Sequence, residues 1–187
     1  LGSGGLYGTI ITDNLYIDSD TGAFAAITTD ESSVYDQEAG MHRFRTAASA
    51  SAGAAPTLVE NLRMSSSAVT VNEGSADIDF RVESNLNTHA LFVDGAQNSV
   101  VGVGVTPEGW ETDATAIQVG GIGAFWGKTA QAASAGTFMS NNVYDNAGVG
   151  QAYIVTDEAA IYKQDDGIHT FYVTASGSAD AAITWTT

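Results

Sequence analysis

The feature that most constrains this chain is an internal repeat: residues 27–60 align with residues 154–187 at a constant offset of 127, with sixteen of the 34 aligned pairs identical. The shared positions include Ile27 with Ile154, Thr29-Asp30-Glu31 with Thr156-Asp157-Glu158, Tyr35 with Tyr162, Gln37 with Gln164, Gly40 with Gly167, His42 with His169, and Phe44 with Phe171. Upstream the match continues at an offset of 128, pairing Gly8, Thr9, Asn14 and Tyr16 with Gly136, Thr137, Asn142 and Tyr144. A module therefore occurs twice, with different sequence between the copies. The expected division is a first copy over 1–63, a meander over 64–110, and a connector with the second copy over 111–187.

Within the module, His42-Arg43-Phe44-Arg45 and His169-Thr170-Phe171-Tyr172 keep alternate residues and change the others. That is the period of a strand with one buried face, so His42, Phe44, His169 and Phe171 are expected to face inward. Gly40 and Gly167 follow short acidic stretches and read as hairpin turns whose partner strands carry Tyr35 and Tyr162. Between the copies, Ile78, Phe80 and Val82 alternate with charged residues, a second strand is expected over 90–93, and a third over 99–105. Gly102 and Gly104 lie two residues apart in that third strand and are expected to leave one smooth face for close approach of other chains. Ile117-Gln118-Val119 reads as a further short strand, and a short helix is expected over 128–135.

Composition narrows the functional classes. Six Lys and Arg against 22 Asp and Glu give a formal charge of −16, which repels phosphate backbones and removes nucleic acid as a partner. No apolar run approaches the roughly 20 residues of a membrane span. With no cysteine, rigidity has to come from strand pairing or from association of chains. The opening Leu1-Gly2-Ser3-Gly4-Gly5 carries no methionine or signal-peptide pattern, and 181–187 are strand-forming to the last residue, so the sequence reads as a piece of something longer.

Chemistry finds few footholds. His42 and His169 occupy one repeat position, as a packed strand residue does and a catalytic one rarely does, and His89 stands beside a turn without a companion. The acidic pairs Asp30-Glu31 and Asp157-Glu158 recur with the repeat and read as turn-forming or solvated. Asp18-Ser19-Asp20-Thr21-Gly22 has the alternating oxygens of a calcium loop but lacks the later acidic ligands of an EF-hand. No catalytic residue, metal or cofactor is expected.

The run Phe80-Arg81-Val82-Glu83-Ser84, through His89-Ala90-Leu91-Phe92-Val93-Asp94, to Val101-Gly102-Val103-Gly104-Val105-Thr106-Pro107 resembles a recurrent segment of bacteriophage tail-fibre proteins. The repeated module, with Ser178-Ala179-Asp180-Ala181-Ala182-Ile183-Thr184-Trp185, also looks like modules of such fibres from aquatic phages. The resemblance implies an all-β fold of short antiparallel strands in repeated hairpin or sandwich-like modules of an elongated, homotrimeric fibre. It also implies an extracellular place on the virion, contact with other tail proteins, and attachment to a host surface. On this reading His42, Phe44, His169, Phe171, Gly102 and Gly104 are packing or interface residues. The alternative is an adhesin module binding a receptor or surface glycan, for which Trp110, Phe125 and Trp126 are the exposed-aromatic candidates. A depolymerising enzyme is the third and least favoured class, since its paired carboxylates belong on a longer groove.

Overall fold

Each copy of the repeat is nucleated by a two-residue hairpin whose backbone twist matches that of its strands. Both central residues sit at positive φ, Ala39 and Gly40 in the first copy (49° and 77°), Asp166 and Gly167 in the second (49° and 75°). That is the turn geometry favoured between two antiparallel strands, and it fixes their register. The computed structural model describes residues 8–72, 76–97, 99–129 and 135–186. It divides into two compact units, one running to Ile78 and one beginning at Asp79. The expected meander over 64–110 is thus parted between them.

The first unit contains β1 (Thr9–Asp13), β2 (Leu15–Ile17), β3 (Phe24–Ala26), β4 (Asp30–Glu38), β5 (Met41–Ala50), β6 (Val59–Met64) and β7 (Val69–Val71). Its main sheet has the order β1-β4-β5-β6-β7, antiparallel throughout, and β2 and β3 form a separate hairpin. Leu15, Ala25, Ala26, Val34 and Ala47 are its buried apolar residues.

The second unit contains β8 (Phe80–Val82), β9 (Leu91–Val93), β10 (Val100–Val103), β11 (Ala114–Val119), β12 (Gly123–Lys128), β13 (Thr137–Asn141), β14 (Tyr144–Asn146), β15 (Gly150–Ala152), β16 (Asp157–Asp165) and β17 (Ile168–Gly177). Eight of these make one sheet in the order β17-β16-β13-β12-β11-β10-β9-β8, and β14 pairs with β15 apart from it. The three strands expected between the copies are β8, β9 and β10, and 117–119 falls in β11. The fold is all-β, and its strands pair antiparallel except β10 with β11, which run parallel. The expected short helix centres on 130–134, outside the described residues.

The alternation of β11, β12 and β13 sends Ala114, Ala116, Ala124, Trp126, Phe138 and Ser140 to one face of the sheet. There they meet Val143, Tyr144, Ala152, Tyr153 and Ile154 of the β14–β15 region in a single apolar cluster. Trp126 stacks on Phe138 with ring centroids 3.9 Å apart, and Trp110 meets the Trp126 ring edge-on at 5.6 Å. Both indoles are satisfied: Trp126 Nε1 donates to Ser140 Oγ at 3.1 Å and Trp110 Nε1 to Gln118 Oε1 at 3.2 Å. Burying such large rings supplies on the order of 2–3 kcal/mol each.

The repeat residues Asn14 and Asn142 explain themselves here. Asn142 sits at φ 59°, accepts the Val155 N–H on Oδ1 and donates through Nδ2 to the Val155 and Glu158 carbonyls. Asn14, at φ 54°, makes the same three bonds with Thr28 and Glu31. Thr29 and Thr156 each accept a backbone N–H 23 residues on, from Ala52 and Ala179. The Asn and Thr identities are therefore structural clamps, while Asp30 and Asp157 each accept the next residue's N–H.

Candidate functional site: an uncovered apolar sheet face

With one face of the eight-stranded sheet packed, strand alternation places the other set of side chains outward, and across its middle these are mostly apolar. Following the paired residues across the sheet gives one row: Phe80, Val93, Val101, Ile117, Phe125, Met139, Tyr162 and Phe171. Beside it runs Val82, Leu91, Val103, Val119, Gly123, Asn141, Ala160 and Val173. None of these side chains is charged, in a chain of net charge −16. Eight strands about 4.8 Å apart make the rows roughly 34 Å long. Most of the large side chains are exposed, Met139 at 60% and Phe171 at 72%. Contiguous apolar surfaces of this extent are characteristic of interaction sites.

The sheet of the first unit repeats the pattern. Its paired row is Ile11, Tyr35, Phe44, Leu62 and Val71. Its first three members, Ile11, Tyr35 and Phe44, occupy the repeat positions of Met139, Tyr162 and Phe171 in the second copy.

A polar fringe flanks each row in the same form. Gln37 Nε2 donates to Tyr35 Oη at 2.6 Å, and the same hydroxyl shares a hydrogen bond with His42 Nδ1, 2.8 Å away. In the second copy Gln164 Nε2 donates to Tyr162 Oη at 2.8 Å, and that hydroxyl bonds His169 Nδ1. The Tyr and Phe ring centroids lie 4.8 Å apart in both copies. The same Gln–Tyr–His arrangement is therefore present in both copies.

Several expected placements are corrected by this geometry. Phe44 and Phe171 face outward, not into the module, and His169 is exposed. The inward side of the first hairpin carries Asp36, Arg43 and Arg45 instead, because with Glu38 their charges neutralise one another: Arg45 Nη2 lies 2.6 Å from Asp36 Oδ2, and Arg43 Nη2 lies 2.6 Å from both Asp36 Oδ1 and Glu38 Oε2. Gly102 belongs to the packed face, where a Cβ would lie 2.1 Å from the Val105 carbonyl oxygen and 3.0 Å from Pro107 Cδ. Gly104 leaves the strand in a turn at φ 77°. The valines, not the glycines, line the outer surface. Of the three aromatic candidates, Trp110 and Trp126 are core residues and Phe125 alone is exposed.

Two further polar clusters are held largely by their own hydrogen bonds and ion pairs. Asp18 Oδ1 accepts the N–H groups of Asp20 and Thr21 and the Thr21 hydroxyl, all within 3.0 Å. Those bonds, with Thr21 first, hold its carboxyl below the usual range. Carboxylate oxygens of Glu111, Asp113 and Asp145 lie within 4.8 Å of one another, as metal ligands would. The Lys128 ammonium already pairs with Asp113 and Asp145. Burial opposes its charge, but those two partners outweigh burial and raise its pKa. His89 bonds Thr88 Oγ1 at 3.0 Å and meets the Phe92 ring edge-on at 5.0 Å.

No family model, curated protein or solved structure matches this chain.

Proposed function

We propose that this chain is a non-enzymatic structural segment of a homotrimeric fibre of the bacteriophage tail-fibre kind, lying outside the cell on the virion and joined to other tail proteins. The observation that carries the reading is the uncharged apolar face running across all eight strands. Copies of a chain with charge −16 repel one another over most of their surface, and this face is where that repulsion is weakest and apolar burial is largest. A repeated module presenting the same row in both units suits an assembly that continues along a filament. The number three comes from the resemblance of the 80–107 segment to tail fibres. In this role the protein transmits force through paired strands and apolar contacts, and needs no reactive group.

Oxidation by dilute peroxide tests the reading at one atom. Met139 is 60% exposed in the single chain, so its sulfur reacts readily if the face is open. In an assembled fibre segment Met139 is expected to be protected at high protein concentration and to become reactive on dilution. Equal, rapid oxidation at every concentration overturns the proposal.

A second reading, an adhesin module for a receptor or glycan, is favoured by one observation: Phe125, Tyr162 and Phe171 present rings along a single row with the Gln164 and His169 side chains beside them. It requires the face to stay open in solution, so the same oxidation separates the two.

A further inference from the structure

Comparing the two copies residue by residue isolates a place where they diverge. In the second copy, the space between the sheet and the β14–β15 hairpin is filled. Phe138 stacks under Trp126, Tyr172 faces Trp185 with centroids 6.0 Å apart, and the Trp185 indole donates to Gln151 Oε1. In the first copy, Ile10 stands where Phe138 does, Arg45 where Tyr172 does, and Leu58 where Trp185 does. The corresponding space, between the inner face of the sheet and the β2–β3 hairpin, is an open cavity of about 340 Å³. That is the lower end of the range, roughly 300–1,000 Å³, in which proteins hold one small molecule.

Its lining is divided into two kinds. Ile10, Ile17 and Phe24 make an apolar wall, while Asp36, Glu38, Arg43 and Arg45 make a polar one. The four charged groups sum to zero. Both Asp36 oxygens are occupied by the guanidinium groups, and Arg43 also holds Glu38 Oε2 at 2.6 Å. Among the described residues, Nη1 of each arginine and Glu38 Oε1 have no hydrogen-bond partner. A part-buried ion cluster of this kind seldom stabilises a fold more than apolar packing of equal volume does. The second copy shows that this scaffold accepts the apolar packing.

We infer that the first unit holds a binding cavity for an uncharged, polyhydroxylated molecule of about one hexose unit. Its hydroxyls accept from the free arginine N–H groups and donate to Glu38 Oε1, and its C–H groups lie against Ile10 and Ile17, since the Phe24 ring is already faced by the Arg45 guanidinium at 5.8 Å. Neutrality follows from the lining: the four charges sum to zero, so an anion would meet the Asp36 and Glu38 carboxylates and a cation would meet two arginines. The inference is independent of the fibre reading, because the cavity is on the packed side of the first sheet and not on its uncovered face.

The test is saturation-transfer NMR on the full chain with glucose, galactose, N-acetylglucosamine and glucuronate, each titrated to about 50 mM, far enough to see Kd values in the millimolar range near −4 kcal/mol. At least one neutral hexose is expected to bind saturably, with glucuronate at least tenfold weaker. Ile10→Phe with Arg45→Tyr, which installs the side chains of the second copy, is expected to abolish the signal while the far-UV circular dichroism is unchanged. Glu38→Gln, a part-exposed change that keeps the fold, is expected to weaken binding about tenfold. Absence of saturable binding by all neutral hexoses overturns the inference, as does binding that survives both variants or preference for glucuronate. Native mass is unaffected by these variants on the fibre reading, so failure here leaves that reading standing.

Discussion

Met139→Lys places a charge at the centre of the uncovered face, opposite Phe125 on one side and Tyr162 on the other. Since Met139 is 60% exposed, the folded single chain loses little by the change. In an assembly that buries the face, each chain forfeits on the order of 100 Å² of apolar burial, about 2.5 kcal/mol, or roughly 7 kcal/mol over three chains. Desolvating the ammonium adds to this. For a trimer in equilibrium with monomers, the half-assembly concentration moves as the square root of the dissociation constant. Seven kcal/mol therefore shifts that concentration by about two to three orders of magnitude. Sedimentation velocity over a dilution series reads the shift directly. Leu86→Lys is the control, because Leu86 is 99% exposed in a turn away from the two rows, and it is expected to leave assembly unchanged. Equal half-assembly concentrations for Met139→Lys and wild type would refute the reasoning, as would an equal loss with Leu86→Lys.

Other expectations concern the single chain and are read by denaturant unfolding. Asn142→Ala removes three hydrogen bonds and leaves a non-glycine residue at φ 59°, so it is expected to cost about 2–4 kcal/mol, whereas Asn14→Ala, in a more exposed clamp, costs about half as much. Gly102→Ala drives a methyl group into the Val105 carbonyl and is expected to cost at least about 2 kcal/mol; wild-type stability would show that the strand lies elsewhere. Ala39→Asn puts a residue tolerant of positive φ where the second copy has Asp166, and is expected to stabilise by about 0.5–1 kcal/mol. Burial, with Asp180 nearby, raises the Glu108 pKa, so folding favours its protonated form. That contribution is present below the ordinary glutamate range and is lost as pH rises through the raised value. Glu108→Gln should therefore be the more stable form at pH 7, by less than about 1 kcal/mol after solvent screening, with the difference closing towards pH 4.

The repeat, both hairpin turns and the strands at 80–82, 91–93 and 100–103 were legible because each rests on local information: a period of two and a glycine at a turn. Which face of a strand is buried is not local. In β5 the alternation separates His42 and Phe44 from Arg43 and Arg45, and hydrophobicity alone puts the aromatic set inside. The structure reverses this because Asp36 and Glu38, on the neighbouring strand, offset the cost of partly burying both arginines. In sequence Trp110 and Trp126 have no visible partners, because Gln118 and Ser140 are brought to them only by the folded sheet. Gly102 looked like a gap for another chain, and the gap is filled by Val105 and Pro107, three and five residues on. The outward row was hidden for the same reason: its eight members come from eight strands and meet only once the sheet is formed.

The most direct test of the central claim is the native mass of the wild-type chain by light scattering across a concentration series at neutral pH. Three chains of 19.3 kDa give about 58 kDa, and the account predicts that value at micromolar concentration and above, with dissociation only on strong dilution. A folded species of 19.3 kDa throughout the series would contradict it.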